Sequence, residues 1–194
     1  MNEHVQKLIR LLIVPLYAAL VFACKEALAV LPNIEVVTFL LAFAALVFPL
    51  YMAMSIPIIF GLLEVILYGG SSWVILYFSA WPILVLIVWM FRGIIKKYWW
   101  IFITITSLWG FCFGTLDSFL HLLMFGKASF YFYWIAGLPF DAVHGVGNFM
   151  FSVFLYKPVM AIWTSHLQHY LLIDNQLVIL PPKPIVNKDQ LIDN

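Results

Sequence analysis

Six apolar stretches, separated by short breaks rich in Pro, Gly and polar residues, run through most of this sequence. A helix that crosses a bilayer needs about 20 consecutive, mostly apolar residues. The stretches predict helices over residues 7–30, 35–48, 51–68, 73–91, 98–125 and 131–156, the second of them short. We therefore expect an all-α membrane protein, a bundle of six transmembrane helices.

Composition excludes the usual soluble alternative. The chain is 65% hydrophobic and 10% charged, with a mean hydropathy of +1.04. Soluble domains are about half apolar and about a quarter charged, and a chain of this size has too much surface to hide such an excess. The net charge of +1 and the lack of a long basic run indicate no nucleic-acid partner. Membrane lipid is the expected surrounding.

Basic residues indicate the orientation of the bundle. They fall before the first helix, between the fourth and fifth, and after the sixth: Lys7, Arg10, Arg92, Lys96, Lys97 and Lys157. With six spans these places share one side, which the positive-inside rule assigns to the cytoplasm. Both termini are then cytoplasmic. We expect one membrane domain over residues 1–172 and a polar, mobile cytoplasmic tail over residues 173–194.

Polar residues recur at helical spacing within two of the predicted spans. Asp141, His144 and Asn148 are three and four residues apart, so they share one face of the sixth helix. Asp117 and His121 do the same on the fifth. Ionisable groups inside a span are expensive and usually face the protein interior or a cavity. Each set predicts either a ligand-facing cluster or a structural polar contact between helices.

Other polar groups gather toward the predicted outer side of the bundle. Lys25, Glu26, Glu35, Glu64 and Lys127 all fall there, which indicates a cavity that opens outward. Aromatic residues on the same side fit either such a pocket or an interfacial belt. The candidate ligand-binding residues are Asn33, Glu35, Glu64, Tyr68, Trp73, Asp117, His121, Lys127, Trp134, Asp141, His144 and Asn148.

The first helix carries three alanines at intervals of four, Ala19, Ala23 and Ala27. Small residues at this spacing form a smooth stripe that another helix can approach closely. The stripe predicts either packing inside the bundle or docking onto a partner protein.

Together these features resemble the substrate-binding S component of energy-coupling factor (ECF) transporters. The resemblance rests on the six-helix layout, the alanine stripe, and the strings LPNIE at residues 31–35 and GLPFDAVHG at residues 137–145. These strings are similar to ones in unassigned S components of Gram-positive bacteria. The resemblance covers about residues 5–160.

The resemblance implies a mechanism. Such S components sit in the bacterial cell membrane, capture a vitamin or related micronutrient from outside, and associate with a transmembrane T component and two ATPase subunits. Ala19, Ala23 and Ala27 would face the T component. The chain has no GxxxxGK[ST] motif, so partners would hydrolyse ATP. It would be no enzyme and would need no cofactor, catalytic residue or resident metal.

The identity of the ligand is the open part of this interpretation. The leading expectation is cobalamin, with His121 or His144 as a contact to cobalt. A pyridoxine-like molecule or a pyrimidine vitamin precursor follows.

Two other classes stay open on the sequence. Asp117 and His121 with Asp141 and His144 would suit an intramembrane metal-dependent enzyme, although no HExxH or GxSxG motif occurs. A small channel or a structural membrane subunit is the other alternative, but a channel requires polar groups along the whole depth of the bundle.

Overall fold

A computed structural model describes residues 3–168, and nearly all of them are helical. The six α-helices are α1 (Glu3–Leu28), α2 (Val37–Val47), α3 (Leu50–Tyr68), α4 (Trp73–Lys97), α5 (Trp100–Phe125) and α6 (Lys127–Ile162). A π-helical turn, Trp163–Leu167, continues α6. The predicted tail over residues 173–194 and the side chains of Lys7 and Arg10 lie outside what the structure describes.

The all-helical fold is confirmed, and five helices are long and apolar enough to cross a membrane. These segments are Leu11–Leu28, Leu50–Tyr68, Trp73–Lys97, Trp100–Phe125 and Lys127–His166. The other helix, α2, has 11 residues, or about 16 Å at 1.5 Å per residue. It is therefore shorter than the hydrocarbon core of about 30 Å.

Two segments that were expected to be connectors are mostly helical. Residues 92–97 form the last turns of α4, where Lys96 and Lys97 stand against the negative end of the helix dipole. The expected loop at residues 126–129 reduces to Gly126, because α6 already begins at Lys127. Gly126 has φ +85°, a left-handed conformation that glycine adopts without steric cost, so a single residue reverses the chain.

The helix α2 forms the centre of the bundle. Nine of its eleven residues are buried, and it packs against all five other helices. Its core includes Phe39, which stacks on Phe43 and meets Phe102 of α5 edge-on. A helix that is apolar on every side belongs in a core.

The two ends of the bundle carry different charges. The C-terminal ends of α1 and α3 lie together, since Lys25 contacts Glu64 and Tyr68 contacts Glu26. We call this the carboxylate end; it holds Glu26, Glu35 and Glu64. The opposite, basic end holds Arg92, Lys96, Lys97 and Lys157.

Candidate functional site

A cavity of about 360 Å³ opens at the carboxylate end. All six helices and the 29–35 segment that joins α1 to α2 surround it. Asn33 turns this segment with a φ of 58°, a left-handed conformation that asparagine tolerates better than most residues. The polar and aromatic residues that line the cavity are Lys25, Asn33, Glu35, Tyr68, Tyr77, Trp81, Phe113 and His144.

Lys25 organises one wall of the cavity. Its Nζ donates to Glu64 Oε2 at 2.5 Å and to Glu26 Oε1 at 3.1 Å, and it lies 4.6 Å from the centre of the Tyr68 ring. The Tyr68 hydroxyl donates to Glu26 Oε2 at 2.5 Å. One lysine is thus shared between two carboxylates, a charge-assisted network that fixes the ends of α1 and α3.

Glu35 and His144 form a second polar group on the facing wall. His144 Nε2 lies 2.7 Å from Glu35 Oε1, within hydrogen-bond distance, so an N–H on this nitrogen can donate to the carboxylate. Glu35 also accepts from the backbone N–H and the hydroxyl of Thr38, which satisfies a free donor at the start of α2. The pair therefore ties α6 to the first turn of α2.

Aromatic rings make up the inner wall. Trp81 and Phe113 stack with centroids 4.9 Å apart, and Phe113 meets the His144 ring edge-on at 5.3 Å. Tyr77 meets Trp81 edge-on at 5.7 Å. Flat apolar walls with a few placed polar groups are the usual make-up of a small-molecule site.

Two polar atoms near the cavity have no hydrogen-bond partner among residues 3–168. They are Glu64 Oε1 and Trp81 Nε1, on side chains that are each 2% exposed. An unsatisfied buried polar group costs free energy and is uncommon in native proteins. Such groups are candidates for contact with a bound ligand or water.

The structure divides the candidate residues into three groups. The first group lines the cavity and consists of Asn33, Glu35, Tyr68 and His144. Glu64 does not line the cavity but contacts Lys25, which does. Trp73 does not line it but packs edge-on against Tyr77.

The second group lies on the hairpin formed by α5 and α6, away from the cavity lining. Asp117 and His121 approach only to 3.9 Å, and the His121 ring stacks on Tyr133 with centroids 3.5 Å apart. Lys127 begins α6, and Trp134 stacks on Phe130. This arrangement fits a hairpin held by its own side chains.

The third group holds α5 against α6. Asp141 accepts from the backbone N–H of Gly114 at 2.6 Å and of Thr115 at 3.2 Å. Asn148, fully buried, donates to the Thr106 carbonyl at 3.3 Å. We call this region the seam. It consists of these contacts and of the glycines beside them, Gly110, Gly114 and Gly145.

The four residues of the metal-enzyme alternative are separated by these contacts. Asp141 is bound to backbone of α5 and His144 to Glu35, while Asp117 and His121 stand further along α5. Among residues 3–168 there is no group of three His, Cys, Asp or Glu side chains arranged to hold a metal ion.

The alanine stripe lies on the outside of the bundle. Ala19, Ala23 and Ala27 are all exposed, whereas Ala18 and Val21 on the same helix are fully buried. Within residues 3–168, the stripe therefore does not pack against another helix.

Four polar or aromatic lining residues are absent from the candidate set: Lys25, Tyr77, Trp81 and Phe113. Lys25 stood out in the sequence as a charge within a span. Phe113 precedes Asp117 and His121 at intervals of four, so helical spacing would have placed it on their face.

A second, wholly apolar groove of about 650 Å³ runs along the outside of α6 and past Ile34. Ala142, Val146, Met150 and Phe154 line it. An apolar groove on the outer surface of a membrane helix suits lipid chains, so the polar cavity is the candidate site for a small molecule.

Comparison of the chain with protein-family models, with curated proteins and with solved structures finds no match. Evidence on function therefore comes from the cavity and from the sequence resemblance.

Proposed function

We propose that this protein is the substrate-binding S component of an ECF-type transporter, which captures a small, vitamin-like molecule from outside a bacterial cell. The observation that carries the proposal is the cavity at the carboxylate end. It joins charged, hydrogen-bonding and aromatic groups in one concave site, as small-molecule sites do. Four residues expected to bind ligand line it: Asn33, Glu35, Tyr68 and His144.

The outward alanine stripe supports the second half of the proposal. Ala19, Ala23 and Ala27 expose small side chains along one side of α1, where another membrane helix can approach closely. In the proposed complex this stripe faces the T component, and two ATPase subunits supply the energy.

The volume of the cavity bears on the ligand. At about 360 Å³ it lies near the lower end of the range for small-molecule sites. A pyridoxine-like molecule or a pyrimidine vitamin precursor has the volume of one ring with substituents. Cobalamin carries a whole corrin ring and a nucleotide loop, so the cavity favours the smaller ligands.

A binding screen tests the proposal most simply. The chain, purified alone in detergent, is titrated by calorimetry with a panel of vitamins and precursors that includes cobalamin, pyridoxine and thiamine. We expect one ligand class to bind saturably at nanomolar to micromolar Kd. Absence of binding across the panel, or steady ion flux in liposomes that lack any ATPase, would contradict the proposal.

Transport is tested with variants of the stripe. Ala23→Trp should abolish uptake in cells that supply the T component and ATPases, because the indole blocks close helix approach, while Kd stays within about twofold. Ile83→Trp is the control, since Ile83 is exposed on a different helix, α4. Equal loss of uptake in both variants would show that the stripe is not a specific docking surface.

A further inference from the structure

We infer that the ligand of the cavity is a small organic cation built on an aromatic ring. The inference rests on the proposed function, because it names the chemical class that the binding component would capture. Two independent features carry it, the balance of charge around the cavity and the arrangement of its aromatic rings.

The charges around the cavity do not balance. Glu26, Glu35 and Glu64 face one lysine, Lys25, and one histidine, His144. With the carboxylates ionised, this group keeps at least one net negative charge even if His144 is protonated. Two of the carboxylates, Glu35 and Glu64, have side chains only 17% and 2% exposed, and a charge largely removed from water is costly unless an opposite charge joins it. A cationic ligand supplies that charge.

Glu35 is the carboxylate placed to meet such a ligand. It lines the cavity, and 17% of its side chain is still exposed, against 2% for Glu64. Among residues 3–168, one of its oxygens, Oε2, accepts a single hydrogen bond, from the backbone N–H of Thr38 at 3.1 Å. A carboxylate oxygen can accept more than one hydrogen bond, so Glu35 can receive an N–H from the ligand without losing His144.

An anionic ligand would meet the opposite situation. The one lysine that lines the cavity is already held by Glu64 at 2.5 Å and Glu26 at 3.1 Å. These two carboxylates take two of the three N–H groups of Lys25 and already offset its positive charge. An anion bound to the third N–H would lie beside both carboxylates, and like charges placed side by side repel.

The aromatic wall suits a flat cation. Tyr68, Tyr77, Trp81 and Phe113 surround the space next to Glu35 and His144. The faces of such rings attract cations through their quadrupoles, and their edges and faces pack well on another ring. Lys25 over Tyr68 already shows this contact within the protein.

The test uses three probes that share one ring and differ in charge. Pyridoxamine carries an ammonium group where pyridoxine carries a hydroxyl and 4-pyridoxate a carboxylate; thiamine serves as a second cation. Their Kd values are measured by calorimetry for the full chain and for two variants. Glu35→Gln removes the charge but keeps a carbonyl oxygen for the Thr38 N–H. Asp117→Asn is the matched control outside the cavity.

We expect at least one cation to bind ten times tighter than the neutral and anionic members, and Glu35→Gln to weaken it by at least tenfold. Asp117→Asn should stay within twofold, and thermal unfolding should show that both variants are folded. A neutral or anionic probe that binds most tightly, or a cation that Glu35→Gln leaves unchanged, overturns the inference but leaves a binding component. No saturable binding of any vitamin or probe overturns the proposed function as well.

Discussion

The cavity and the seam between α5 and α6 meet on one helix, yet their polar groups have different kinds of partner. In the cavity, side chains contact side chains: His144 with Glu35, and Lys25 with Glu64. In the seam, Asp141 and Asn148 contact backbone, the N–H of Gly114 and the carbonyl of Thr106, beside one buried hydroxyl pair, Thr106 with Ser152. The first region encloses about 360 Å³ of open space, and the second encloses glycines in close contact.

This difference separates structural polar residues from candidate binding residues in a membrane helix. A side chain that satisfies backbone across a tight contact holds two helices together, and moving it disturbs the fold. A side chain that meets another side chain beside open space can exchange that partner for a ligand. Substitutions in the seam should therefore change mainly stability, and substitutions in the cavity mainly the affinity for ligand.

The largest effect on stability is expected at Gly110. A Cβ there would lie 2.6 Å from Asn148 Nδ2 and 2.8 Å from Gly145 Cα, so α5 and α6 must separate. Gly110→Ala should lower the free energy of unfolding by about 1–3 kcal/mol, the usual cost of overpacking. Thermal unfolding in detergent measures it.

Gly137→Ala is the matched control on α6. A Cβ at Gly137 meets nothing within 4 Å, and alanine favours a helix over glycine by up to about 1 kcal/mol. Gly137→Ala should therefore leave stability unchanged or raise it. A similar loss of stability in both variants would contradict the close contact at the seam.

Asp141→Ala should have the next largest effect. It removes the acceptor of two backbone N–H groups, which should lower the free energy of unfolding by about 1–2 kcal/mol. Asp141→Asn keeps one acceptor oxygen and should lose less. Because Asp141 does not line the cavity, the Kd for ligand should stay within about threefold in both. A tenfold rise in Kd with unchanged stability would return Asp141 to the binding site.

Tyr68→Phe sharpens the comparison from the cavity side and should have the smallest effect. It removes one hydrogen bond to Glu26 at an exposed position, where water can take the place of the lost partner. The melting temperature should change little, while the Kd should rise by roughly two- to tenfold, because ligand binding would then have to immobilise the Tyr68 ring. Calorimetry and thermal unfolding on the same sample separate the two effects. A fall in melting temperature with unchanged Kd would make Tyr68 structural.

Hydrophobic runs were enough to predict the helices, because only helices and closed barrels satisfy backbone groups in lipid. Hydrophobic runs could not identify α2 as the core helix, since an apolar segment has the same composition whether it faces lipid or protein. Nor could they show that Arg92 to Lys97 continue α4, because basic residues suit a last helical turn as well as a loop.

Within the candidate site, helical spacing grouped Asp141, His144 and Asn148 on one face of α6 correctly. The spacing could not show which of the three lines the cavity, because that depends on which helix α6 contacts at each position. At Asp141 and Asn148 it lies against α5, and at His144 it reaches the start of α2 through Glu35. These pairings join residues 27, 42 and 109 positions apart, and no local pattern encodes them.

The most direct test compares His144→Ala with Asn148→Ala, one turn apart on α6. Kd for the ligand found in the screen and the melting temperature are measured for both variants in the same detergent. We predict that His144→Ala raises Kd at least tenfold, and that its melting temperature falls less than that of Asn148→Ala, whose Kd stays within threefold. The reverse pattern, or an equal loss of affinity in both, would contradict the separation of cavity and seam.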